Sequence, residues 1–101
     1  MKQFISKVID LKNIADDYFL LSFNWPLEST PKAGQFLTIR TTELSSPLLR
    51  RPFAFSSFNG SKNEASIIFQ KLGNGTELLS FLKSGDPIDI LGPLGNSFSD
   101  Y

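Results

Sequence analysis

The sequence predicts an all-β fold: a six-stranded antiparallel Greek-key barrel with one short helix. Six short segments of apolar or alternating residues are separated by turns rich in Gly, Pro, Asn and Asp, a pattern typical of small antiparallel barrels. A single segment, late in the chain, has apolar residues at helical spacing. Ten phenylalanines among 101 residues indicate a core with a large aromatic share.

The first half of the chain contains three predicted strands. Residues 4–11 alternate loosely between apolar and polar side chains, and residues 18–25 are rich in aromatic side chains, so both segments favour strands. A polar turn at residues 13–17 joins them into a predicted hairpin. Residues 26–34 contain two prolines and a glycine and predict a loop, after which residues 35–40 form a third strand.

Three more strands are predicted in the second half. The fourth covers residues 51–58 and contains Pro52, which we expect at a strand start or on an edge because proline cannot donate a ladder hydrogen bond. The fifth covers residues 65–71. The sixth covers residues 86–91, and we expect Gly92–Pro93 to end it.

The predicted helix follows the fifth strand. Asn74 is the expected N-cap, with Glu77 three residues later at the spacing of a capping box. Gly85 is the expected terminator. The apolar stripe of this helix consists of Leu78, Leu79, Phe81 and Leu82.

Composition excludes several classes of function. The chain has no cysteine and no histidine, so it cannot build a thiolate-held metal centre or a histidine-activated nucleophile, and a bound cofactor is the expected source of any chemistry. Ten basic and ten acidic residues disfavour a general nucleic-acid binder. No apolar run approaches the ~20 residues of a membrane span, and the N-terminus does not have the pattern of a secretory signal. The expected location is the cytoplasm.

Two motifs are suited to binding an anion. The permanently charged guanidinium of Arg51 can grip a phosphate through paired hydrogen bonds, and strand alternation places Phe53 and Phe55 on its face. The run Gly73-Asn74-Gly75-Thr76 opens a helix with flexible backbone and outward N–H groups. Each motif has an ordinary structural alternative: core phenylalanines beside a surface charge, and a tight turn with a helix cap. Together, if the fourth and fifth strands pair, they predict a site for the pyrophosphate of a dinucleotide.

The order of these motifs resembles the ferredoxin-reductase-type FAD-binding barrel, and within it the electron-transfer subunits of NAD-linked dihydroorotate dehydrogenase. The resemblance covers nearly the whole chain. The segments that carry it are Gly34-Gln35-Phe36, Arg51-Pro52-Phe53-Ala54, Gly73-Asn74-Gly75-Thr76, Gly85-Asp86 and Gly92-Pro93-Leu94-Gly95-Asn96.

The resemblance implies a barrel that holds FAD. By this likeness Arg51 contacts the pyrophosphate, Phe53 packs near the flavin or ribityl chain, and the start of the helix binds the pyrophosphate from the other side. The full set of implied cofactor-binding residues is Arg51, Pro52, Phe53, Ala54, Ile68, Phe69, Gln70, Gly75 and Thr76.

The resemblance also implies parts that lie outside this chain. Residues 1–95 correspond to the barrel and residues 96–101 to the start of a linker toward a nucleotide-binding domain for NAD. A [2Fe-2S] centre follows in the full-length protein, and a catalytic FMN-containing subunit oxidises dihydroorotate in pyrimidine biosynthesis. This piece alone is not expected to be active. The alternatives are the FAD domain of another ferredoxin- or flavodoxin-type reductase, or a non-redox barrel that binds an oligonucleotide or a protein.

The chain departs from the wider family at one point. That family commonly has Arg-x-Tyr-Ser, in which the tyrosine stacks on the flavin and the serine hydroxyl reaches flavin N5. Here Phe53 lacks the phenol and Ala54 lacks the hydroxyl. Ser56 follows on the same predicted face as Ala54. Arg50 is expected to be a surface charge.

Overall fold

The computed structural model describes residues 2–28, 30–32, 34–41 and 51–95. The described chain forms six strands and one helix, which lies between the fifth and sixth strands. They are β1 (Lys2–Ala15), β2 (Tyr18–Asn24), β3 (Phe36–Thr41), β4 (Arg51–Asn59), β5 (Glu64–Gln70), α1 (Asn74–Leu79) and β6 (Pro87–Leu94).

The strands close into a barrel in the order β1-β2-β5-β4-β3-β6, and every neighbouring pair is antiparallel. The predicted fold class is therefore confirmed, as are the β1–β2 hairpin and the pairing of β4 with β5. Strand β1 pairs with two neighbouring strands. Residues 2–7 pair with β6 and residues 8–15 with β2, with a register shift between Val8 and Asp10. This irregularity bends the strand around the barrel.

Alternate side chains of each strand point inward and fill the barrel. At one end of this core, Trp25 is fully buried and its ring meets Phe4 and Phe55 edge-on, each at a centroid distance of 5.3 Å. Such edge-to-face pairs are favourable for aromatic rings. The buried apolar residues are Val8, Leu21, Phe23, Trp25, Leu37, Ile39, Ala65, Ile67, Phe69, Leu79, Ile88 and Ile90.

The helix is shorter than predicted. It begins at Asn74, and the N–H of Glu77 donates to the carbonyl of Gly73, so Gly73 rather than Asn74 occupies the N-cap position. The helix ends at Leu79, and the prediction that Gly85 terminates it is also wrong. Gly85 instead has a φ of 93° in the turn before β6, where its N–H donates to the carbonyl of Val8.

The sixth strand is longer than predicted. It continues through Gly92–Pro93 to Leu94, so this dipeptide does not end it. Gly92 pairs with Lys2 of β1 and lies against Leu37 of β3. Because Gly92 has no side chain, β6 and β3 can approach each other closely at this point. Arg50 and residues 96–101 fall outside the described residues. In the part of the chain that is described, no helix has the length and apolar character needed to cross a membrane.

Candidate functional site

The Arg-Pro-Phe-Ala segment lies at the start of β4, and its side chains divide between the two faces of the barrel wall. Phe53 and Phe55 pack against the core, whereas Pro52 and Ala54 are exposed. Pro52 is the second residue of its strand and pairs with Thr38, close to the predicted strand start. The backbone of Arg51 pairs with that of Ile39. The Arg51 side chain is not among those that the structure describes.

A bulge interrupts this strand after the segment. The pairing with β5 shifts between Phe55 and Ser57, so Ser56 is the extra residue. Ser56 is exposed, while Phe58 returns to the core side. The alternation predicted for Pro52 to Ser56 is therefore correct, whereas the face predicted for the Arg51 side chain stays a prediction, and the alternation cannot be extended beyond the bulge.

The predicted site residues of β5 divide in the same way. Ile68 is 45% exposed, Gln70 is half-buried on the same face, and Phe69 lies in the core. The rings of Phe53 and Phe69 meet inside the barrel at 6.2 Å and 60°. Pro52, Ala54, Ile68 and Gln70 can thus meet a ligand on the outer wall, whereas the cofactor contacts predicted for Phe53 and Phe69 stay predictions.

The outward side chains of four adjacent strands line up as one apolar row, here called the outer strip (Leu20, Ile68, Ala54 and Phe36). Leu20 pairs with Ile68, and Phe36 pairs with Ala54. Continuing the β4–β5 register by one residue beyond the Phe55–Ile67 pair sets Ala54 opposite Ile68. From Ile68 to Phe36 the strip crosses two strand spacings, roughly 10 Å. A flat ring system could lie on such a surface.

The glycine-rich turn at the start of α1 is organised by Thr76. Its buried hydroxyl accepts hydrogen bonds from the N–H groups of Leu72 at 2.9 Å and Gly73 at 3.1 Å, and it donates to the Gly73 carbonyl at 3.2 Å. The sequence predicts that this hydroxyl donates to a phosphate. Because the hydroxyl already holds the turn together through these three hydrogen bonds, the two roles compete. The N–H groups in the first turn of a helix lack intrahelical acceptors, and they remain the anion-suited part.

The outer strip and this turn are connected directly through β5. Ile68 belongs to the strip, Gln70 ends the strand, and Gly73 opens the turn three residues later. A Cβ built on Gly73 would meet no atom within 4 Å, so the backbone there is open to close approach. An apolar platform beside an anion-suited turn fits a ligand that has both a flat ring and a pyrophosphate, as FAD has.

One feature of this wall was not predicted from the sequence. Phe36 is 37% exposed on the outer strip, and its neighbour Gln35 donates from Nε2 to the carbonyl of Gly95 at 3.1 Å. Gly95 has a φ of 80°, and a Cβ there would lie 3.0 Å from the Phe36 ring. The Gly34-Gln35-Phe36 motif is recognisable in the sequence, but strand register decides which residues lie beside it, and register is not visible in a local pattern.

A shallow surface pocket of about 200 Å³ lies farther along β4. Pro31 and Lys32 line it together with the segment around the bulge, residues 55–58. It is therefore at the opposite end of the strand from Arg51, and it does not include the outer strip.

Comparison with known proteins shows the fold of the chain and which proteins it is similar to. Solved phthalate dioxygenase reductase has the same fold, with a TM-score of 0.73 at 19% identity over 93% of this chain and 30% of that one. A solved NADH-dependent reduced ferredoxin-NADP oxidoreductase gives a TM-score of 0.77 at 30% identity, over 91% of this chain and 33% of that one. No model of a protein family matches the chain.

The curated relatives are more specific. The electron transfer subunit of dihydroorotate dehydrogenase B (NAD(+)) from Bacillus pumilus strain SAFR-032 is 41% identical over 97% of this chain and 38% of its own length. The corresponding subunit from Streptococcus mutans serotype c is 41% identical over 90% of this chain and 35% of its own length. This chain is similar to these subunits along nearly all of its own length. It spans little more than a third of the relatives that it matches.

Proposed function

We propose that this chain is the FAD-binding domain of an electron transfer subunit that carries electrons from dihydroorotate oxidation to NAD. The match to dihydroorotate dehydrogenase B electron transfer subunits along 97% of the chain carries the proposal. The outer strip beside the turn at the start of α1 supports it. The proposed domain is residues 1–95, and residues 96–101 begin the connection to a nucleotide-binding domain.

The residues proposed to hold FAD act at its two ends. Ala54 and Ile68 support the flavin ring, and Pro52 and Gln70 border it on the same outer face. Arg51 and the backbone around Gly75 and Thr76 bind the pyrophosphate. Phe53 and Phe69 fix the two strands from inside. When bound, FAD supplies the electron-accepting and electron-donating chemistry that a chain without cysteine or histidine lacks.

The remaining steps depend on partners of this domain. We propose a [2Fe-2S] centre and an NAD site in the longer protein, and a catalytic FMN-containing subunit that oxidises dihydroorotate. This chain contributes binding, orientation and exclusion of water at one flavin face. The proposed location is the cytoplasm.

Reconstitution with FAD tests the proposal directly. The purified chain should take up FAD and become yellow, and Arg51→Ala should weaken binding by about 1.5–3 kcal/mol, the usual worth of a hydrogen bond to a charged group. Lys62→Ala is the matched control, because it removes an exposed cation at the distant β4–β5 turn. Absence of FAD binding by both the chain and its full-length parent would contradict the proposal, as would equal losses in the two variants.

A further inference from the structure

The aromatic ring nearest the proposed flavin surface does not come from the Arg-Pro-Phe segment. Phe53 pairs with the fully buried Leu37 and packs against Phe69 inside the barrel. Its neighbour Ala54 presents only a methyl group to the outside. If FAD lies on the outer strip, β4 therefore offers it a small side chain rather than a ring.

Phe36 supplies a ring at that position from the adjacent strand. It is the direct pairing partner of Ala54 and remains 37% exposed on the same outer face. On its other side it pairs with Leu94 of β6. The ring thus lies beside Ala54, the smallest side chain of the outer strip. At this position the ring can form one wall beside a flat ligand.

This ring is restricted on one side by Gly95, which follows β6. Gly95 lies so close that an added Cβ would meet two ring carbons at 3.0 and 3.2 Å. Gln35 holds Gly95 there by donating to its carbonyl, while its Oε1 accepts from the N–H of Lys32 at 3.0 Å. A ring with a neighbour this close on one side has fewer conformations to lose on binding a ligand, which favours affinity.

We propose that Phe36, positioned by Gln35 and Gly95, is the aromatic residue that contacts the flavin ring in this protein, in place of Phe53. The inference rests on the proposed function, because it assigns one wall of that same site. It transfers the aromatic contact from β4 to β3.

Four forms of the chain reconstituted with FAD test this assignment: the unsubstituted chain, Phe36→Leu, Phe36→Tyr and Phe53→Leu. Loss of a stacked ring in Phe36→Leu should weaken FAD binding about 3- to 10-fold. It should also raise the fluorescence of the bound flavin and change its visible circular dichroism. Phe36→Tyr should restore all three signals. Phe53→Leu should lower the unfolding midpoint and leave the fluorescence and visible circular dichroism of the bound flavin unchanged.

The possible outcomes separate the two proposals. If Phe53→Leu alters the flavin signals and Phe36→Leu does not, or if neither does, the assignment of Phe36 is overturned while FAD binding stands. If neither the unsubstituted chain nor its full-length form binds FAD, the proposed function fails first. If the leucine variant folds poorly, Phe36→Met, which also lacks the ring at this exposed position, provides the ring-free reading to compare with Phe36→Tyr.

Discussion

Arg40 and Asp89 form an ion pair across β3 and β6, with Nε and Oδ2 3.1 Å apart. The two residues are also direct partners in the strand register. The Asp89 side chain is only 6% exposed, and both of its oxygens accept from the Gln3 amide at 3.3 Å. This polar cluster joins three strands on the outer wall, and it connects the N-terminal strand to the last one.

Breaking this pair should destabilise the barrel measurably. Arg40→Met keeps much of the side-chain length but removes the guanidinium that pairs with the Asp89 carboxylate, so the free energy of unfolding should fall by about 1–3 kcal/mol. Arg40 is 41% exposed, and solvent screening keeps the loss below that of a fully buried pair. Urea denaturation measures it. In a double-mutant cycle with Asp89→Asn the two losses should not add, and strict additivity would show that the pair is not coupled.

Gly92 should not tolerate even a methyl group. A Cβ at this position would lie 2.9 Å from Cβ and 3.3 Å from Cα of Leu37, and Leu37 is fully buried. Because backbone atoms would have to shift, Gly92→Ala should cost about 1–3 kcal/mol of stability. Thermal unfolding followed by circular dichroism provides the measurement.

The matched control for that substitution is Gly60→Ala in the β4–β5 turn. Its added Cβ would approach only one ring atom of Phe58, at 3.5 Å, which is ordinary contact. The stability change should therefore stay within about 0.5 kcal/mol. Similar losses in the two variants would indicate that loss of glycine, rather than the close approach to Leu37, is responsible.

The Thr76 hydroxyl should matter for the turn before it matters for any ligand. Thr76→Val preserves the shape and removes the acceptor used by the Leu72 and Gly73 N–H groups, so stability should fall by about 1 kcal/mol in the absence of ligand. Thr76→Ser retains the hydroxyl and should remain within about 0.5 kcal/mol of the parent. Urea denaturation without FAD measures these changes. An unchanged midpoint for Thr76→Val would contradict the structural role and leave ligand binding as the only role of the hydroxyl.

Local sequence patterns predicted the barrel well because each strand alternates against a single core. The hairpin at the β1–β2 turn, the pairing of β4 with β5 and the division of Phe53 and Phe55 from Pro52 and Ala54 onto opposite faces all agree with the structure. The errors concern ends of elements. Gly92–Pro93 has the composition of a strand end, yet Gly92 is needed for close packing on Leu37, and tertiary contact prevails over local preference.

The candidate site was predictable only in part, for a related reason. Arg51 to Ala54 and Gly73 to Thr76 were recognisable as motifs along the chain. The outer strip depends on which residues of four strands stand in one row, and that follows from register across the whole barrel. Phe36 and Gly95 are 59 positions apart in the sequence, so no local pattern could bring the ring of one against the backbone of the other.

Trp25, the single tryptophan of the chain, should act as a reporter of the entire barrel. It is 1% exposed and packs between Phe4 of β1 and Phe55 of β4, so its fluorescence should be that of an apolar environment and shift to longer wavelength on unfolding. Since these contacts join strands from both halves of the chain, the fluorescence midpoint in urea should coincide with that of far-ultraviolet circular dichroism. A fluorescence transition at clearly lower urea would show that this end of the core opens before the sheet. Phe55→Leu should move both midpoints together, because the ring it removes belongs to the same cooperative core.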